Sequence, residues 1–164
     1  MEDELKNVWA ELDEKEQYQR RTSLRLFNLP QEENETAESC REKVISLIEK
    51  ENMNIPSDFV DRAHRIGKKE KGKPAQVIVK FSSFRTRTLF YRSREQLKKK
   101  HNVRVQLDLT RKRLHTLQRA RELVESSDKV KFVCANINCD LMAITDDKPL
   151  YFSTIDDLDV FLSA

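Results

Sequence analysis

The 164 residues are 36% charged and 38% hydrophobic, apolar material enough for small folded units but not for one large core. No run approaches the roughly 18–20 apolar residues of a membrane span, the N-terminus lacks the basic and apolar regions of a secretory signal, and two glycines cannot build a phosphate cradle. The net charge of +3 hides a segregation: residues 58–121 carry 20 Lys/Arg and 5 Asp/Glu, a local +15, which leaves 11 and 23 elsewhere, a local −12.

Residues 2–19 are helix formers throughout, with Leu5, Val8 and Leu12 at coiled-coil spacing and Lys15 and Gln19 at the next two such places. So short a helix is marginal alone, and the segment reads either as the stump of an oligomerising coil or as a frayed helix without a partner. Ser23–Leu29 alternates as a strand and is stopped by Pro30. A helix is expected from about Ala37 to Met53, with Cys40, Val44, Leu47 and Ile48 as its apolar stripe. Phe59–Ile66 reads as a second strand, followed by the basic loop GKKEKGKP, and Ala75–Phe81 is the clearest strand of the chain. Ser83 caps a helix from Phe84 to about Lys100, and Val103–Leu109 makes a fourth strand. This order is the split-βαβ arrangement of two helices on a four-stranded antiparallel sheet. Thr110 then caps a helix to about Ser127, Lys129–Val133, Ile137–Ile144 and Leu150–Phe152 form a short meander, and Thr154 caps a last helix.

The fold expected is thus α+β, with a coiled-coil helix end at 1–21, a split-βαβ domain at 22–109 and a small α+β domain at 110–164. A basic stretch flanked by acidic ones attracts polyanions without regard to base sequence. Its arginines gather on particular elements: Arg62 and Arg65 beside His64 in RAHR; Arg85, Arg87, Arg92 and Arg94 on the second helix, which ends in Lys98–Lys100; and Arg111, Arg113, Arg119 and Arg121 on the third. The planar guanidinium fork suits phosphate. On the third helix, Leu114, Leu117 and Val124 share a face on which the spacing also puts Arg121, either paired with a carboxylate such as Glu122 or Glu125 or lining a phosphate-binding cleft.

Leu24–Leu29 (LRLFNL) fits the first-strand pattern of an RNA recognition motif except that Arg25 stands where a base-stacking aromatic belongs, and Gln76 and Ile78 occupy the two stacking positions of the third strand. Binding would then rest on Arg and Lys at phosphates, with guanidinium planes taking some of the stacking. Neither catalysis nor a metal is expected. His64 has no nucleophile or paired carboxylate near it in sequence, Asp146, Asp147, Asp156, Asp157 and Asp159 read as turn and capping residues, and Cys134, Cys139, His101 and His115 are irregularly spaced for zinc. Cys40, Cys134 and Cys139 are read as reduced thiols.

Six segments in order, QRRTSLRLFNLP, DRAHRIG, VIVKF, RSREQLKKK, VRVQLDLT and LQRARE behind a short coil, resemble the first-open-reading-frame protein of LINE-type non-LTR retrotransposons over roughly residues 17–161. The resemblance implies a homotrimer formed through the N-terminal coil, a non-standard RNA recognition motif and a C-terminal domain. Together these would coat the element's single-stranded RNA, and DNA, as a nucleic-acid chaperone in a cytoplasmic ribonucleoprotein, with the nucleus as a further location and no cofactor. It would place binding arginines at Arg21, Arg62, Arg65, Arg94 and one or both of Arg119 and Arg121, although this chain reads Arg119-Ala120-Arg121 where the family has Ala-Arg-Arg. The nucleic-acid contacts expected in all are Arg21, Arg25, Arg62, His64, Arg65, Arg85, Arg92, Arg94, Lys98, Arg111, Arg113, Arg119 and Arg121. The baculoviral few-polyhedra protein resembles the same pattern, and with it comes the alternative of a coiled-coil scaffold protein.

Overall fold

A computed structural model describes residues 1–164. The chain is mixed α+β, with six helices and seven strands in two antiparallel sheets. It divides into two compact units, one of residues 22–108 and one assembled from residues 1–21 together with residues 109–164.

The unit 22–108 holds β1 (Ser23–Phe27), α2 (Ala37–Lys50), β2 (Val60–Ile66), β3 (Gln76–Phe81), α3 (Phe84–Arg92), α4 (Arg94–His101) and β4 (Arg104–Leu107), and its sheet runs β2-β3-β1-β4. Alternation fixes the two faces. Leu24, Leu26, Val77, Val79 and Phe81 are buried with Cys40, Val44, Leu47 and Ile48 of α2, Phe90 of α3 and Leu97 of α4. The rings of Phe81 and Phe90 meet at 5.3 Å between centroids. The helices therefore cover one face of the sheet. A bulge between Val60 and Arg62 lets both Val60 and Ala63 point into this core. Thr36 and Ser39 form a reciprocal cap on α2, Ser83 accepts from the Thr86 N–H at the start of α3, and Asn102, at φ 58, closes α4 in the left-handed conformation.

The expected second helix is two helices. At Ser93 the backbone turns at φ −88, ψ 6, and its N–H reaches back three residues to Phe90, while Arg94 donates to the Tyr91 carbonyl at 3.3 Å. This tight turn replaces the regular bonding pattern at a residue type that competes with the helical backbone. Phe59 belongs to a 3-10 turn, Ser57–Phe59, and the second strand begins after it.

In the discontinuous unit, α1 (Glu2–Gln19) is joined to α5 (Arg111–Val124), β5 (Phe132–Ala135), β6 (Leu141–Ile144), β7 (Leu150–Tyr151) and α6 (Ile155–Ser163). The sheet order is β5-β6-β7, and Leu117, Ala120, Val124, Val133, Leu141, Ala143, Phe152 and Leu158 are buried. The expected strand Ile137–Ile144 starts only at Leu141. The Asn136 carboxamide accepts from the N–H groups of Asn138 and Asp140, and Cys139 at φ 67 completes a tight turn. The apolar face of α5 also differs from expectation. It runs through Leu117, Ala120 and Val124, while Leu114 is 42% exposed and Arg121 lies off it in solvent. What turns inward one turn before Leu117 is Arg113, engaged by carboxylates of α1.

Candidate nucleic-acid interface

The uncovered face of the four-stranded sheet is cationic. Register places Arg62, His64 and Ile66 of β2 beside Lys80, Ile78 and Gln76 of β3, and Arg25 and Phe27 of β1 beside Gln106 and Arg104 of β4. Arg62 is open, with 67% of its side chain exposed and Asp61 no nearer than 4.0 Å. Arg25 lies across the middle. Its Nε donates to Asp108 Oδ1 at 2.8 Å and its Nη1 to Gln76 Oε1 at 3.0 Å. The guanidinium is thereby tied on one side to the residue after β4 and on the other to β3, and the one carboxylate that follows β4 is engaged by it. At the end of β1, the guanidinium of Arg104 stands over the Phe27 ring at 5.1 Å.

RAHR does not act as one patch. Residues three apart on a strand face opposite sides, and Arg65 points to the helical side with only 11% of its side chain exposed. Its Nε donates to Glu35 at 2.6 Å, and its other nitrogens donate to the carbonyls of Leu29, Ala75 and Pro30. Glu35 also meets Lys43 at 2.6 Å. The hydrogen bond from Arg65 holds the Glu35 carboxyl below its ordinary value, against the opposing effect of burial and with Lys43 assisting. Arg65 thus fastens the loop after β1 to the end of β2.

Arg85, Arg92 and Lys98 are exposed, but they ride on the helices that cover the other face, so the sheet separates them from Arg62 and His64. Arg87 is fully buried beside Phe84 and Tyr91. Arg94 stacks on Tyr91 at 4.4 Å, and Arg21 on Tyr18 at 4.0 Å. Arg111, Arg119 and Arg121 are exposed on α5, and Arg121 lines a shallow hollow with Lys131, Phe132 and Val133. Arg113 has 11% of its side chain exposed and is engaged by Asp13, Glu14 and the Cys139 carbonyl. Burial opposes its charge, but Asp13, Glu14 and Asp140 outweigh that and hold it above its ordinary value. Leu5, Val8 and Leu12 form an exposed ridge on α1. Burial pushes the Cys40 and Cys134 thiols up. Asp157 caps α6, and Asp146 meets Lys131 at 2.9 Å.

The sequence reading missed Phe27, Lys80 and Arg104. The alternation that places Arg25 on the open face also places Phe27 there, and register with Gln76 and Ile78 does the same for Lys80. The chain matches no protein-family model, and no curated protein is significantly similar to it.

Proposed function

We propose that the chain binds single-stranded RNA and DNA without base-sequence preference, through the open face of the four-stranded sheet, and serves as a nucleic-acid chaperone in a ribonucleoprotein particle. The observation that carries this reading is the pairing on that face. Arg25, Arg62, Lys80 and Arg104 lie within four neighbouring strands, and the carboxylate Asp108 is engaged by Arg25. Phosphate is the natural counter-charge, and the Phe27 ring and the fixed Arg25 plane offer flat surfaces for bases. The tested property is anisotropy of a labelled oligouridylate across a salt series: affinity should fall steeply with salt and vary little between base compositions. Absence of binding at low salt would remove the reading.

Self-association through α1, as a homotrimer, is the second part of the proposal. It is supported by the ridge of Leu5, Val8 and Leu12, each at least half exposed. Sedimentation of the chain with and without polar substitutions at these three positions tests it. A scaffold role without nucleic acid would retain this association and lose no activity on removal of Arg62 and Lys80.

A further inference from the structure

Trp9 is the only tryptophan of the chain, and it stands on α1 with 59% of its surface exposed. It lies four residues before Asp13 and eight before Gln17, on the stripe of α1 that meets α5. Asp13 accepts from the Thr110 hydroxyl at 2.6 Å and from Arg113, and Gln17 Oε1 accepts the buried Thr110 N–H at 2.9 Å. These bonds fasten the two helices, and beside them runs a groove of about 960 Å³, lined by Trp9, Leu12 and Lys15 of α1 and Arg111, Lys112 and His115 of α5. Its volume lies toward the upper end of the roughly 300–1,000 Å³ found for ligand sites.

The charges of the groove are unbalanced. Two carboxylates also line it, but Asp13 is engaged by Arg113 and Glu16 by Arg20, each at 2.8 Å. Arg111 and Lys112 have no carboxylate partner, and the first turn of α5 contains no acidic residue. Two cations there oppose the field of the helix, which favours anions at that end. An exposed indole against uncompensated cations is the chemistry of a stacked base with its phosphate held alongside.

We infer that the α1–α5 groove is a second single-strand site, in which a nucleobase stacks on Trp9 while Arg111 and Lys112 hold the adjoining phosphate. This rests on the proposed single-strand binding and adds to it a site in the other unit of the chain. A single tryptophan makes its own emission the reporter. The full-length protein is titrated with a short oligouridylate, with Trp9 emission and the anisotropy of a labelled copy followed in parallel.

The expected result is quenching of Trp9 that is reversed by salt. In R111A/K112A the affinity read through Trp9 should fall about tenfold, in keeping with the loss of two phosphate contacts, whereas R62A/K80A should leave the quenching in place. Anisotropy showing binding with Trp9 emission unchanged would overturn the inference and leave the sheet reading standing. Loss of both signals would remove both readings. If emission instead depends on protein concentration alone and the oligonucleotide has no further effect, a second copy of the chain fills the groove and the inference fails. Loss of quenching in R62A/K80A would overturn the groove as a separate site.

Discussion

Asp13 and Arg113, a hundred residues apart in the chain, meet with the carboxylate Oδ2 accepting from Nε at 2.8 Å, each with 11% of its side chain exposed. The same carboxylate takes the hydroxyl of Thr110, the residue that caps α5. Asp13→Ala leaves a largely buried cation with Glu14 and the Cys139 carbonyl as its nearest partners and removes an acceptor from the cap. A loss of about 2–3 kcal/mol is expected, read by urea unfolding followed through Trp9. A change under about 0.5 kcal/mol would show that α1 is not held by this contact.

Arg62 and Arg65 should separate cleanly. Arg65→Ala leaves Glu35 with Lys43 alone, takes the donors from three carbonyls and should destabilise the unit 22–108 by about 3 kcal/mol. Arg62→Ala, at an open position, should stay within about 0.5 kcal/mol while weakening single-strand binding. Thermal melts alongside anisotropy decide it, and equal effects of the two variants on stability would contradict the assignment.

Acid should act through Glu35. Its folded carboxyl titrates below the ordinary value of 4.5, so the unfolded chain binds the proton more readily. The stabilisation is complete above the ordinary value and is lost as pH falls from there through the depressed folded value. Glu35→Gln should therefore have a lower melting temperature than the parent at neutral pH, and the gap between them should narrow as the pH falls below the ordinary value of 4.5. A constant gap across that range would mean that the carboxylate charge contributes nothing there.

On the open sheet face, Arg62→Ala, Lys80→Ala and Arg104→Ala should each lower the steepness of the plot of log K against log salt by about 0.7 if each meets one phosphate. Arg25→Ala should do more than remove charge, because it takes the 2.8 Å ion pair from the buried Asp108 carboxylate. A loss of stability is expected for that variant alone of the four.

Leu117→Ala should cost about 2–5 kcal/mol, and Leu114→Ala under about 1 kcal/mol, since Leu117 is buried and Leu114 lies largely in solvent. Equal costs would restore the apolar face that spacing alone suggests.

The split-βαβ order was legible because each element carries its own period: Val77, Val79 and Phe81 alternate, and Cys40, Val44, Leu47 and Ile48 fall on one helical stripe, all of them buried. The inward turn of Arg113 was not legible, because it depends on Asp13 a hundred residues away, and no local pattern records such a partner. For the same reason a phase shift on α5 went unseen, and Arg121 looked as if it shared the buried face. On β2 the motif RAHR obscured a strand rule, since a separation of three reverses the face. The break at Ser93 had no proline or glycine to announce it.

The discontinuous unit has a consequence for the order in which the chain is built. α1 is made well before its partners: Leu109, whose carbonyl takes Arg20 at 3.1 Å, and Thr110, whose N–H is accepted by Gln17, arrive some ninety residues later. Closing so long a loop of free chain is costly in entropy. Leu24 pairs with Leu107, so the folded sheet sets the start of β1 beside the end of β4, and residues 21 and 109 are delivered as near neighbours. Domains generally fold in the order in which they are made, but here the partners of α1 are made only after the middle unit. A nascent chain stalled before α5 would carry a complete sheet and an N-terminal helix still without its partner.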